Sequence, residues 1–294
     1  MEIDYDEDFK KIAKTLKDDF GWDNIGILPD SFKILLNDCI KAVKACTIPP
    51  ISNNLSSLDI AVLMNNSLEK NKIYQGDCLA LIDLLADKSI DCVVTSPPYN
   101  LNKKASGGGN SKQSYEGWYA DDKPEFLYQS EQRLLISKLL QKCKGSIFYN
   151  HRVRYAWHSR NVFKTPTNIY HPMQWLSDFP IWCEVIWYRK GTTGHANGRC
   201  RLADERIYQI GKPHVFHDMG YTTVWDISPT KNVGHVCTFP EELVERCILM
   251  STNEGDLVLD PYMGSGTTKR VCERLGRRYI GFELEERYVQ LASK

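Results

Sequence analysis

No apolar run in this chain of 294 residues approaches the roughly 20 positions that a membrane-spanning helix requires. The first eight residues, Met1-Glu2-Ile3-Asp4-Tyr5-Asp6-Glu7-Asp8, are acidic where a secretory leader would be basic, so a cytosolic protein is expected. Paired cysteines are missing too. The 10 cysteines are scattered from Cys39 to Cys272 with no Cys-x-x-Cys, which predicts reduced, mostly buried thiols rather than disulfides. No His-x-His, His-Glu-x-x-His or Cys/His spacing occurs, so no metal is expected. Net charge is also absent, with 37 basic and 37 acidic residues, which argues against a polyanionic partner until the charges are divided along the chain. Between Lys142 and His217 there are 12 Lys and Arg against 4 Asp and Glu, leaving 25 against 33 elsewhere. A basic middle of this kind is what a phosphate-neutralising surface needs, although a solvated basic face has the same composition.

What remains is an ordinary globular composition, 42% hydrophobic and 25% charged, with no internal repeat. Residues 1 to about 70 form an N-terminal extension with helix-like stretches such as Asp30 to Lys44, broken at Pro49-Pro50-Ile51-Ser52-Asn53-Asn54, and no evident chemistry. From about residue 71 the pattern alternates strand and helix. Strand Ile73-Tyr74, helix Cys78 to Asp87 and strand Ile90 to Val94 make one βαβ unit. Helix Glu125 to Lys142 and strand Ser146 to Tyr149 follow, then an irregular basic region and strands near Trp182 to Tyr188 and Arg206 to Ile210. A helix-like Glu241 to Met250 precedes a last βαβ unit, in which strand Leu257 to Leu259 leads through Gly264-Ser265-Gly266 into a helix to about Leu275, then strand Tyr279 to Phe282. Such alternation predicts an α/β fold with a doubly wound, mostly parallel sheet and ligands at the carboxyl ends of its strands.

Two segments carry the chemistry. The first is Asp260-Pro261-Tyr262-Met263-Gly264-Ser265-Gly266-Thr267 at a strand-to-helix turn. Its glycines let the backbone approach a ligand, and Glu283, at the end of the next strand, has the spacing of an acid that accepts both ribose hydroxyls. No Walker-type GKS or GKT follows Gly266, so the segment suits an adenosine without phosphates; a plain glycine turn is the structural alternative. The second is Thr95-Ser96-Pro97-Pro98-Tyr99-Asn100. Consecutive prolines make a rigid loop that presents carbonyls. Ser96 Oγ and the Pro97 carbonyl could accept the two hydrogens of a delocalised, planar amine, making its nitrogen more tetrahedral, while Tyr99 stacks on the ring that carries it. The alternative is an ordinary Pro-Pro turn at a strand end.

In this order, the two segments make the chain resemble the beta group of S-adenosylmethionine-dependent DNA amino-methyltransferases, which act on cytosine N4 or adenine N6. The resemblance covers about residues 72 to 294. It implies a methyltransferase-type sheet with circularly permuted motif order, S-adenosyl-L-methionine as cofactor and double-stranded DNA as partner, and admits a cognate restriction enzyme and a homodimer. It implies Ser96, Pro97, Pro98 and Tyr99 as the catalytic tetrad acting on a base flipped from the duplex. Asp77, Thr95, Thr238, Phe239, Asp260, Pro261, Tyr262, Gly264, Ser265, Gly266, Thr267 and Glu283 are the implied cofactor residues. Tyr262 departs from the family's usual Phe, and Phe239 could instead be a hydrophobic staple at a helix start. Ser as first residue of the tetrad is commoner among the cytosine-N4 enzymes. No Pro-Cys nucleophile is present, so direct transfer without a covalent enzyme intermediate is expected.

Specificity has weaker signals. Residues 100 to 122, with Gly107-Gly108-Gly109 and Trp118-Tyr119, are expected to form a mobile cover, or else a plain connector. The recognition region is expected within residues 150 to 235, with Arg152, Arg154, Lys190, Arg199 and Arg201 as DNA contacts.

Overall fold

Side chains that alternate along neighbouring strands and are buried on both faces make a three-layer protein. The computed structural model describes residues 68–101, 123–155, 169–189, 202–229 and 240–293. Strands β1 (Lys72–Gln75), β2 (Cys92–Thr95), β3 (Ile147–His151), β6 (Ile181–Tyr188), β7 (Asp204–Ile210), β8 (Val224–Asp226), β9 (Leu257–Asp260) and β10 (Arg278–Glu283) form one sheet in the order β1-β10-β9-β2-β3-β7-β6-β8. Only β7 runs antiparallel to its neighbours, β3 and β6. A short ribbon joins β4 (Arg154–Tyr155) to β5 (Ile169–Tyr170).

The period of two is visible in the two cores. Val93, Ile147, Tyr149, Leu257, Leu259, Ile280 and Phe282 enter one core; Cys92, Val94, Phe148, Val258 and Tyr279 enter the other. Strands covered on both faces read as near-continuous apolar runs, which is why β2, β3 and β9 were legible. On the first face lies α2 (Glu125–Lys142), whose buried positions Tyr128, Gln132, Leu135, Ile136 and Leu139 follow helical spacing. Glu125 in its first turn and Lys142 in its last complement the helix dipole. Two single-turn helices, α1 (Cys78–Leu81) and α3 (Met173–Leu176), share that side, contributing Cys78, Trp175 and Leu176. The opposite face is covered by α4 (Glu241–Ser251) and α5 (Thr267–Arg274), with Ala292 of α6 (Glu286–Ala292).

The elements expected from residue 71 onward are present, with differences at their ends. The helix expected from Cys78 to Asp87 is α1 plus a 3-10 turn over Ile82–Leu84; Leu85 is already extended, and burying its side chain in the core cuts the helix short. Ile90 makes only an isolated bridge to Cys143, so β2 starts at Cys92. β7 begins two residues earlier than expected, at Asp204, and β4, β5, α3, β8 and α6 went unforeseen. The N-terminal extension up to residue 67, most of the expected cover (102–122) and much of the basic region lie outside the described residues. Among the described residues no helix is long and apolar enough to cross a membrane, and no His/Cys/Asp/Glu group could hold a metal ion.

Candidate active site

The parallel register brings the sequence motifs to one edge of the sheet. Val93 of β2 lies opposite Leu259 of β9, and Asp260 opposite Gly281, so the segments after Thr95, Asp260 and Glu283 emerge side by side. Gln75 of β1 pairs with Glu283, bringing Gly76 and Asp77 to the same edge. The chain leaves β9 for β10 on one side and β2 for β3 on the other. A reversal of this kind opens a ligand crevice at the carboxyl ends of the strands.

One half of the edge is a glycine turn built around two carboxylates. Gly264 (φ 53) and Gly266 (φ 79) adopt the left-handed conformation that residues with a Cβ rarely take. Asp260, buried, accepts from the Tyr262 N–H at 3.0 Å and from the Thr268 hydroxyl at 2.6 Å, so it holds the turn to α5. Burial pushes its carboxyl up to about 6, against the pull of those two donors, and the charge of Glu283 adds to the rise. Glu283 accepts from the Gly264 N–H at 2.8 Å and the Glu285 N–H at 2.9 Å. Burial raises its carboxyl as well, while the same backbone donors lower it. Asp77 caps α1, its Oδ1 accepting from the N–H groups of Leu79 and Ala80. Pro261, Ser265 and Thr267 are buried in the turn, Tyr262 partly so, and Thr95 is buried at the end of β2.

The other half is the Ser-Pro-Pro-Tyr loop. The Tyr128 hydroxyl donates to the Pro98 carbonyl at 2.9 Å, whereas the Pro97 carbonyl accepts no hydrogen bond from the described residues. Tyr128 thereby gives its one proton to Pro98. His151 Nε2 lies 2.7 Å from the same hydroxyl, and its Nδ1 meets both the N–H and the carbonyl of Arg152 at 2.9 Å. Burial and the neighbouring Arg154 guanidinium hold His151 well below the usual imidazole range, so it is neutral. Asn100 closes the loop, exchanging side-chain hydrogen bonds with the N–H and carbonyl of Lys123 at 2.8 and 2.9 Å. Tyr99 is buried, its ring 4.6 Å from that of His151. Its hydroxyl meets Ser96 Oγ at 2.8 Å, Asn150 Nδ2 at 2.6 Å and Glu205 Oε2 at 2.9 Å.

Asn150 and Glu205 were missed in the sequence. Asn150 could have been found, as a polar residue just after the apolar Ile147-Phe148-Tyr149 and near the carboxyl end of a parallel strand. Glu205 looked like a solvated charge beside Asp204 and Arg206; it is buried, and Arg189 pairs with it at 2.5 Å.

The expected nucleic-acid contacts fare differently. Arg154 is a correction. Its guanidinium is buried, pairs with both oxygens of Glu125 at 2.6 and 2.8 Å, and lies over the rings of Tyr128, Tyr170 and Trp175, so it supports the core beneath the loop. Arg152 is partly exposed beside it. Lys190, Arg199, Arg201, Thr238 and Phe239 lie outside the described residues. The basic middle is also less free than its composition suggested. Lys142, Lys144, Arg154, Arg189 and Arg206 each pair with a carboxylate. All the described cysteines are free thiols, with Cys78, Cys143 and Cys272 pushed up to about 12 by burial.

Fold and edge define a doubly wound α/β protein with a glycine turn held by two carboxylates beside a Ser-Pro-Pro-Tyr loop. Residues 214–294 match the N6_N4_Mtase family of DNA methylases. The chain is 31% identical over 234 residues to the type II methyltransferase M.BamHI of Bacillus amyloliquefaciens, covering 72% of this chain and 54% of that protein. It is 27% identical over 261 residues to M.BglII of Bacillus subtilis, covering 76% and 68%. Among solved structures, the cytosine-N4-specific PvuII DNA methyltransferase superposes with a TM-score of 0.61 at 21% identity, over 77% of this chain and 86% of that one. A Thermus thermophilus protein solved with S-adenosyl-L-methionine superposes at 0.55 and 22% identity, over 75% and 90%. The chain spans about half the length of M.BamHI. By these matches the chain is similar to the DNA amino-methyltransferases, in its C-terminal segment and in its fold.

Proposed function

We propose that this protein transfers a methyl group from S-adenosyl-L-methionine to the exocyclic amine of a base flipped from double-stranded DNA, with cytosine N4 as the target. The observation that carries the proposal is the pairing of β2 with β9, which sets the Ser96 loop beside the Asp260 to Gly266 turn. The turn suits a nucleoside without phosphates. Gly264 and Gly266 present no side chain, and the Glu283 carboxylate keeps acceptor capacity beyond its two backbone partners. The cofactor, when bound, supplies the methyl group from its sulfonium. In this reading Gly264, Ser265, Gly266 and Glu283 line its nucleoside end, Asp77 stands near the adenine, and Thr238 and Phe239 border the methionine.

The chain's own residues then act on the amine. Ser96 Oγ and the Pro97 carbonyl accept its two hydrogens, directing the nitrogen lone pair toward the methyl donor, and Tyr99 faces the base. Pro98 serves by rigidity, its carbonyl being held by Tyr128. No cysteine takes part in this mechanism; of the described ones, Cys78, Cys92, Cys143, Cys247 and Cys272 are buried, and burial suppresses their ionisation. Residues 71–294 form the methyltransferase domain, and Arg152, Lys190, Arg199 and Arg201 meet the DNA. A neutral Ser hydroxyl at the head of the tetrad favours cytosine.

Nucleoside mass spectrometry on unmodified DNA incubated with the protein and cofactor tests this. N4-methylcytosine is the expected product. N6-methyladenine would move the target to adenine and leave the mechanism standing, and transfer to RNA or protein alone would overturn it.

A further inference from the structure

The acceptor role asked of Ser96 raises a problem of direction. A serine hydroxyl carries a proton as well as lone pairs, and a hydroxyl that turned its proton toward the amine would repel the hydrogens it should accept. We propose that Glu205 is a positioning residue that sets Ser96 as an acceptor, through the hydroxyl of Tyr99. The proposal rests on the amino-methyltransferase reading above and deepens it.

The argument follows the protons. Glu205 faces three donors, the Tyr99 hydroxyl, Asn150 Nδ2 and Arg189 Nη1, at 2.9, 3.1 and 2.5 Å. A carboxyl group so surrounded serves as acceptor to all three, so the single Tyr99 proton points at Glu205. The Tyr99 oxygen then has only lone pairs left for Ser96, 2.8 Å away, and the proton between them comes from Ser96. Asn150 Nδ2 approaches Ser96 Oγ from another side at 3.3 Å. The serine oxygen is left with its proton turned inward and lone-pair density for the amine.

Asn150 gives independent support. Its Nδ2 lies within reach of Ser96, Tyr99 and Glu205, while its Oδ1 is buried without a hydrogen-bond partner. An unpartnered buried carbonyl is costly, and swapping the amide's two ends would set oxygen against the Glu205 carboxylate. The carboxylate therefore outweighs the amide's own preference, and it orients this second neighbour of Ser96 as well. An amide or carboxylate oxygen at position 96 would carry no proton and would need no such chain.

The test is single-turnover methyl transfer by Tyr99→Phe, Glu205→Gln and the double variant, with cofactor and DNA affinities measured alongside. Tyr99→Phe keeps the ring that faces the base and removes only the middle hydroxyl. Each single variant should lose about 10-fold or more in transfer rate at affinities within about two-fold of the parent, the loss expected of an interaction made in the transition state. The double variant should lose no more than the worse single one, because both interrupt one chain. Ser96→Asn should restore part of the rate in the Tyr99→Phe background. Parental transfer by Tyr99→Phe, or losses that multiply, would overturn the proposal. If Glu205→Gln does not fold, Tyr99→Phe with its Ser96→Asn rescue decides alone. A parent protein that methylates no exocyclic amine would instead overturn the functional reading.

Discussion

The Gly264 N–H donates to Glu283 Oε2 at 2.8 Å, joining the turn after β9 to the end of β10 by one carboxylate oxygen while the other receives the Glu285 N–H. Glu283→Ala should therefore loosen the turn and weaken cofactor binding by about 10- to 150-fold, since a hydrogen bond to a charged group contributes roughly 1.5–3 kcal/mol. Calorimetric titration with S-adenosyl-L-methionine checks this. Unchanged affinity in a folded variant would take Glu283 out of the site.

Arg154→Ala should cost stability rather than DNA affinity. Removing it leaves Glu125 partly buried without its bidentate partner, and breaking a buried pair costs about 3–5 kcal/mol. Thermal unfolding should show a large fall in Tm while the salt dependence of DNA binding by the folded fraction stays unchanged. A shallower salt slope at unaltered Tm would return Arg154 to the DNA surface.

Gly281 lies against the turn. A Cβ there would stand 2.4 Å from Met263 Cε and 3.0 Å from its Cγ, so the whole buried Met263 side chain, and with it the turn, would have to shift. Gly281→Ala should destabilise by about 1–3 kcal/mol, the usual result of overpacking, and weaken the cofactor too. A variant that melts with the parent and binds cofactor equally well would show that Met263 yields freely.

Asp260 makes a pH prediction. Its folded-state pKa of about 6 lies above the unfolded carboxylate's, so folding favours the protonated form. The stabilisation is full below the unfolded value of about 4 and is lost as pH rises through about 6, a change on the order of 3 kcal/mol. Asp260→Asn preserves an acceptor for the Tyr262 N–H and a donor to Thr268 Oγ1 without titrating. Parent stability relative to this variant should therefore fall between pH 4 and pH 6 in thermal melts. Parallel curves would mean that burial does not control this carboxyl.

Much of this could be read before the fold was known. Apolar runs marked β2, β3 and β9 because strands buried on both faces need them, and the 18-residue α2 has the bounds expected from the sequence. Motifs local in sequence were legible too, since a turn with Gly264 and Gly266, or a loop with Pro97 and Pro98, is constrained by its own backbone. Short elements were not. The two-residue strands β4 and β5 and the single turn α3 have no periodicity of their own and exist because Arg154, Tyr170 and Trp175 pack together.

Strand and helix alternation and the chemistry of the two loops follow from the chain's local order, because both depend on neighbours in sequence. Which charges come to lie beside the Ser96 loop depends on how distant strands pair. Glu205 and Tyr99 are 106 residues apart, and nothing near either predicts that β7 runs antiparallel beside β3 to bring them to 2.9 Å. By the same pairing of distant segments Arg154, 29 residues from Glu125, became part of the core. A charge's role depends on what desolvates and pairs it, and those partners come from strand order and register.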